Sequence, residues 1–153
     1  MGKTEIERQM IVIHSDAELP NATTTESLTR FLHESLKPYE DNLGDIRRAM
    51  TLVLDSPPDR GGFVVLAREG TTALGAAVVH YTPWSGYVPE NLLLFVAVDP
   101  THRGRGLGEA LIKRAIEECE GGIKLHVEHD NPAKRLYERL GFTSKYAEMR
   151  YSR

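Results

Sequence analysis

Arg103-Gly104-Arg105-Gly106-Leu107-Gly108 lies between an apolar run that ends at Val98 and a segment of helical spacing that begins near Leu107. A glycine-rich turn from strand to helix can take an anion. The first turn of a helix leaves backbone N–H groups without partners, and the helix dipole adds partial positive charge there. Glycines remove the side chains that would hold a phosphate away, and the guanidinium groups of Arg103 and Arg105 suit phosphate oxygens. Read alone, the pattern also suits a tight turn that is merely rich in glycine. Two other phosphate motifs fit worse. The spacing is Gly-x-Gly-x-Gly rather than the dinucleotide Gly-x-Gly-x-x-Gly, and Gly108-Glu109-Ala110 stands where a P-loop needs Gly-Lys-Ser/Thr.

Three further groups could carry chemistry. Tyr137 can donate a proton, but it shares a helical face with Ala133, Leu136 and Leu140, which equally reads as core. His126, Glu128 and His129 have metal-ligand side chains, yet strand alternation puts the two histidines on opposite faces, so no metal is expected. Cys119, the one cysteine, lies near the end of a helical segment and reads as a buried thiol rather than a nucleophile.

The elements that must position these groups follow from periodicity. Met10–Ile13 predicts a strand. Thr23 and Glu26 have capping-box spacing ahead of Leu28, Phe31, Leu32 and Leu36, a helix that Pro38 ends. Asn42 caps a second helix with Ile46, Met50 and Val53 on one face. Phe63–Arg68 and Ala73–Tyr81 predict a hairpin turning at Glu69-Gly70-Thr71-Thr72. Leu92–Val98 is apolar throughout, as in a strand covered on both faces. A helix over Leu107–Cys119, a half-buried strand over Ile123–Glu128, a helix begun by Asn131-Pro132 and ended by Gly141, and a last strand carrying Ala147, Met149 and Tyr151 complete the order. Hairpins early and strand–helix–strand late predict a mixed α/β sheet.

The chain has 153 residues, a length that favours one domain over 1–153. Its net charge of −3 gives no reason to expect nucleic acid as a partner. No apolar run is long enough to cross a bilayer, so no membrane is expected either. The first residues lack the apolar core of a signal peptide, and Ile6 stands where an N-acylation motif needs Ser or Thr. With a single thiol, a reducing, cytoplasmic setting is the expectation.

Val96-Ala97-Val98-Asp99-Pro100 followed by Arg103–Gly108 resembles the acetyl-CoA signature of the GCN5-related N-acetyltransferase (GNAT) superfamily, and Asn131-Pro132-Ala133-Lys134-Arg135-Leu136-Tyr137-Glu138-Arg139-Leu140-Gly141-Phe142 resembles its second motif. The resemblance implies a single GNAT-like α/β domain. Its central sheet would be mixed and mostly antiparallel, with splayed middle strands and about four flanking helices. It implies acetyl-CoA as acyl donor and direct transfer to a primary amine.

The implied roles follow residue by residue. The backbone of Arg103, Gly104, Arg105, Gly106, Leu107 and Gly108 would hold the pyrophosphate. Val96, Ala97 and Val98 would line the pantetheine arm, Val96 and Val98 through main-chain groups, with the Val96 N–H also stabilising the oxyanion. Asn131 and Ala133 would lie on the coenzyme side, and Tyr137 would protonate the leaving thiolate. The family also implies an acceptor site built from the first helices and the loop holding Tyr81, Trp84, Tyr87 and Glu90. That loop could equally serve a homodimer contact. Protein-lysine-modifying relatives often place a glutamate where this chain has Leu92, a departure that favours a small-molecule amine acceptor. A peptide or protein acceptor and a non-catalytic acyl-CoA-binding module are the alternatives. For the base, Glu90, His80, His126 and Glu128 are candidates.

Overall fold

The computed structural model describes residues 8–153; the reading of the Met1–Ile6 stretch lies outside them. The chain runs β1 (Arg8–Ile13), a 3-10 turn, α1 (Thr25–Ser35), α2 (Leu43–Leu54), β2 (Gly62–Glu69), β3 (Thr72–Tyr81), β4 (Asn91–Val98), a second 3-10 turn, α3 (Leu107–Glu118), β5 (Ile123–Leu125) and α4 (Ala133–Arg139). The five strands form one sheet in the order β1-β2-β3-β4-β5. Strands β1 to β4 are antiparallel neighbours, and β5 runs parallel to β4. This is the mixed, mostly antiparallel architecture the sequence predicts.

Helices cover both faces. Leu28, Leu32, Ile46, Met50 and Val53 of α1 and α2 pack on Val64, Leu66, Ala76, Val78, Phe95 and Ala97. On the other face Leu111 and Ala115 of α3 pack on Phe63, Val65, Ala77, Val79 and Leu93. Two layers of helix explain why most residues of β2 and β3 are buried on both faces.

Local details differ from the sequence expectation in three places. The capping box is Thr24 with Ser27, not Thr23 with Glu26: the Thr24 side chain accepts the Ser27 N–H and the Ser27 hydroxyl oxygen accepts the Thr24 N–H, both at 2.9 Å. Glu26 instead pairs with Arg47 of α2 and Arg30. The strand expected over Ile123–Glu128 stops at Leu125, where its pairing with Asn91–Leu93 of β4 ends. The last strand does not form. Residues 147–151 pair with no strand, and Met149 and Tyr151 are 91% and 87% exposed. Alternation alone cannot make a strand when no regular edge offers its hydrogen bonds.

One irregularity shapes the site. In the β3–β4 register Val78 faces Phe95 but Val79 faces Leu93, so Leu94 is an extra residue. Leu93 therefore faces α3, Leu94 and Phe95 both face α1 and α2, and Val96 and Val98 face α3 again. A bulge of this kind bends its strand and adds twist. Beyond it, among the described residues, β4 has no partner on the β5 side, so the two parallel strands share three residue pairs and then separate.

Candidate active site

The open edge of β4 can be read from its ladder. The Asp99 N–H donates to Leu74 C=O at 2.8 Å, so Asp99 points its amide at β3. Alternation then sends the main-chain groups of Ala97 to β3 and those of Val96 and Val98 to the open side. The Val98 carbonyl is taken there by Arg103 Nε at 3.2 Å. Ala97 is buried against the α1–α2 layer, so it presents neither side chain nor main chain to the opening.

Past β4 the chain is shaped by Asp99, whose side chain accepts both the Thr101 N–H (2.9 Å) and the Thr101 hydroxyl (2.6 Å). The Thr101 hydroxyl and then its amide, with His102 adding to them, hold the Asp99 carboxyl below its ordinary range. Gly104 and Gly106 then adopt φ of 77° and 78°, left-handed values that side chains resist. A Cβ at either would meet nothing within 4 Å, so both face open space. Gly106 precedes α3 without a side-chain cap, and the first helical bond is Ala110 N–H to Gly106 C=O. The amides of Leu107, Gly108 and Glu109 thus have no helical partner.

The two arginines have different positions. Arg103 also donates Nη2 to the Ser35 carbonyl at 2.6 Å, so its guanidinium ties the end of β4 to the end of α1. Arg105 is exposed at the turn and, with Arg8, Arg68 and His102, lines a cavity of about 250 Å³ beside the start of α3. The turn is therefore a cationic region with unpaired amides, which suits a diphosphate.

Helix α4 forms the far wall. Asn131 Oδ1 accepts the Ala133 N–H at 2.9 Å and fixes the start of the helix. Leu136 packs near Gly108, whose Cβ position lies 3.6 Å from Leu136 Cδ2 and 3.8 Å from Val98 Cγ2. Tyr137 packs on the same cluster as Val96 and Val98 and meets Phe142 edge-on at 5.8 Å. Burial pushes the Tyr137 phenol above its usual value, which keeps it protonated.

The loop between β3 and β4 is mostly committed to structure. Glu90 Oε1 accepts the Gly86 N–H at 3.1 Å and Oε2 accepts the Gly122 N–H at 2.5 Å. Bonds from its own amide and those of Gly122 and Gly86 hold its carboxyl below the ordinary range. Gly121, at φ 80°, leaves room for it; a Cβ there would collide with that carboxylate. Asn91, 2% exposed, donates Nδ2 to Glu120 C=O (2.7 Å) and Gly122 C=O (3.0 Å). Together they clasp the closed end of the β4–β5 pair, a role with no signal in spacing. Glu90 thus spends one acceptor site of each carboxylate oxygen on the loop backbone.

The remaining predicted side chains are dispersed. Tyr81 packs under the sheet against Phe63 and the α3 cluster, with ring centroids 6.1 Å apart. Burial is the largest cause of its raised phenol, followed by charge from Cys119, Glu118 and Glu120. Trp84 is 62% exposed, and Tyr87 contacts Tyr146 edge-on at 6.2 Å. His80 Nδ1 is bonded to Gly61 C=O at 2.8 Å, while His126 and Glu128 lie exposed beyond β5. Among the described residues no group of three His, Cys, Asp or Glu stands together as a metal site. The Cys119 thiol is half-buried and pushed up to about 11 by burial and then by Glu118.

Sequence reasoning also passed over Glu40. Glu40, in the loop between α1 and α2, has its Oε2 buried without a hydrogen-bond partner.

Comparison with known proteins meets this geometry. The sequence profile of the Acetyltransferase (GNAT) family matches residues 23–142, well over half of the chain. The chain belongs to the GNAT acetyltransferase family. Curated relatives include a mycothiol acetyltransferase from Thermobispora bispora, 34% identical over 101 residues that make up 62% of this chain and 34% of the relative. A mycothiol acetyltransferase from Rhodococcus erythropolis is 40% identical over 63 residues, 38% of this chain and 21% of the relative. The chain thus spans about a third or less of the relatives it matches. Among solved structures, a GCN5-related N-acetyltransferase from Ralstonia eutropha superposes with a TM-score of 0.70 at 19% identity, covering 95% of this chain and 99% of that one. The aminoglycoside N-acetyltransferase AAC(6')-Iy in complex with CoA gives 0.66 at 15% identity, covering 96% of each. These structural likenesses establish the fold. No helix among the described residues is long and apolar enough to cross a membrane.

Proposed function

We propose that this acetyltransferase moves an acetyl group from acetyl-CoA to a primary amine of a small molecule. The observation that carries the reading is the conjunction of an open β4 edge at Val96 and Val98 with the unpaired amides at the start of α3. Two sets of unsatisfied main-chain donors at one end of the sheet favour a ligand with a diphosphate and an extended amide-bearing arm. Acetyl-CoA supplies the activated acyl group as a thioester.

In this reading the amides of Leu107, Gly108 and Glu109 bind the diphosphate, aided by Arg105. Gly104 and Gly106 allow the close approach. Arg103 contributes its backbone, while its side chain braces the turn against α1. The Val96 and Val98 main chains hold the arm, and the Val96 N–H stabilises negative charge on the carbonyl oxygen, an effect typically worth ~10²–10³ in rate. Asn131 and Ala133 position α4, which brings Tyr137 to the opening. The neutral amine nitrogen attacks the acyl carbon, the carbon–sulfur bond breaks, and Tyr137 gives its phenolic proton to the departing sulfur. The acceptor nitrogen releases its extra proton to solvent. A small acceptor is supported by Leu92, and by relatives named for mycothiol and for aminoglycosides.

A thiol-release assay across amine classes tests the proposal. Acetyl-CoA-dependent thiol with at least one amine and a matching acetylated product is the expected result. Saturable coenzyme A binding with no turnover on any amine would instead make the chain a binding module.

A further inference from the structure

Residues 143–153 are exposed throughout. Among the described residues, no main-chain hydrogen bond joins them to a helix, a strand or a loop. The segment is nonetheless seated on the domain. The Tyr146 ring meets Tyr87 of the β3–β4 loop edge-on at 6.2 Å. Further along, Arg150 bonds to Glu148, and its guanidinium is raised first by Glu148 and then by Asp41 of the α1–α2 loop. Between these points lies the strand pattern Ala147-Glu148-Met149-Arg150-Tyr151, with Met149 and Tyr151 almost wholly in solvent. An alternating segment with unpaired main-chain groups and exposed apolar side chains is a template for pairing with another chain.

The segment is complementary to itself. Laid antiparallel on a second copy about Met149, it sets Glu148 opposite Arg150 of the copy and Arg150 opposite Glu148 of the copy, on one face. On the other face Met149 meets Met149, and Ala147 and Tyr151 meet each other. The neighbouring registers are worse. Centring the pair on Glu148 or on Arg150 opposes like charges, and a centre between two residues opposes Arg150 to Ala147 or to Met149. Lys145 would face Arg153, which confines the favourable pairing to 146–152. Each copy supplies the regular edge that the other lacks, and the contact has the two-fold symmetry of an isologous dimer.

We infer that residues 147–151 join two copies of this chain into a two-fold dimer, as a pair of antiparallel strands centred on Met149. A pairing this short is smaller than a standard interface, so the dimer should dissociate on dilution. The inference is independent of the acetyl-transfer reading, and its test needs no turnover.

The test is sedimentation velocity on the full chain, wild type against Glu148→Arg and Arg150→Glu. Wild type should be largely dimeric at ~100 μM subunit. Each single substitution sets like charges opposite each other twice and should raise the dimer Kd about tenfold or more. Both side chains are exposed, so both variants should melt as wild type does. The deciding sample is an equimolar mixture of the two variants. In the antiparallel register every Arg of one variant faces a Glu of the other, so the mixture should recover a dimer that neither forms alone. A monomeric wild type at ~100 μM overturns the inference. A dimer that survives both substitutions also overturns it, because the contact then lies elsewhere. Loss in both variants without recovery in the mixture overturns it too, since the charges would then act within one chain.

Discussion

At the first residues of β4, Glu90 and Asn91 satisfy amides and carbonyls of the loops on both sides, and the parallel strand β5 is held in register. At the other end, five residues on, Val96 and Val98 face an empty edge and α3 begins with three amides unpartnered. The same strand is thus closed at one end and open at the other, and the Leu94 bulge lies between. The difference shows how a fold makes a binding site. Hydrogen-bonding capacity is used up at the closed end and left free at the open end, where the proposed ligand would supply the partners. Substitutions at the open end should therefore affect ligands and rate. Substitutions at the closed end should affect stability first.

The largest expected effect is at the open end. Tyr137→Phe removes the proposed acid without changing the packing on Phe142. It should lower kcat by about 10²-fold or more while coenzyme A affinity stays the same. Thiol release at saturating acetyl-CoA and calorimetric binding measure the two quantities. Because burial raises the Tyr137 phenol, wild type should show no alkaline fall from this group up to pH 9, since a raised value keeps the proton in place there. Full activity in Tyr137→Phe would remove Tyr137 from the chemistry.

The closed end predicts the opposite pattern. Asn91→Ala removes a buried side chain and its two bonds to the carbonyls of Glu120 and Gly122, leaving Gly122 only the Asn91 N–H. The expected cost is about 1–3 kcal/mol in urea unfolding. Residual folded protein should still bind coenzyme A at the glycine turn, because that turn is at the other end of β4. If Asn91→Ala lost coenzyme binding without losing stability, the contrast between the two ends would not hold.

Much of this contrast was legible in the residues, and the rest was hidden for identifiable reasons. The glycine turn, the Asn42 cap, the β2–β3 hairpin and the Asn131-Pro132 helix start all depend on local backbone needs, which residue type reveals. The Leu94 bulge was not legible, because a run of apolar residues from Leu92 to Val98 carries no phase to show where the facing reverses. Thr23, Thr24 and Thr25 are chemically alike as caps, so the cap position was misread by one residue. The strand expected at 147–151 needed an edge to pair with, and pairing is a tertiary property. The bonds from Gly86 and Gly122 to Glu90, which was read as a candidate for the acceptor, follow no spacing rule. Glu40 has no motif at all; only the absence of a donor marks it.

Gly106→Ala tests the open end on a finer scale. Alanine at φ 78° should cost about 1–2 kcal/mol of stability. The added methyl points into open space rather than into protein. If that space holds the diphosphate, coenzyme A affinity falls by more than the stability loss explains. An equal affinity in Gly106→Ala and wild type would move the diphosphate away from the turn.

The smallest effect belongs to Glu90→Gln at the closed end, where pH provides the sharper readout. The folded-state carboxyl is held below its ordinary value by its own amide and those of Gly122 and Gly86. A lowered value means that the ionised form stabilises the fold above the unfolded pKa of about 4.3, and that this contribution is lost as pH falls through the folded value. Glutamine keeps one acceptor oxygen but turns an NH2 group toward the second donor, so the variant should melt slightly lower than wild type at pH 7. The two proteins should converge as the pH falls from the unfolded value through the lowered folded one, where the wild-type carboxyl takes up its proton. Thermal melts at pH 7, 5 and 3.5 would show this. A difference that persists undiminished at the lowest pH would mean that Glu90 acts through shape rather than charge, and that the closed end of β4 depends mainly on Asn91.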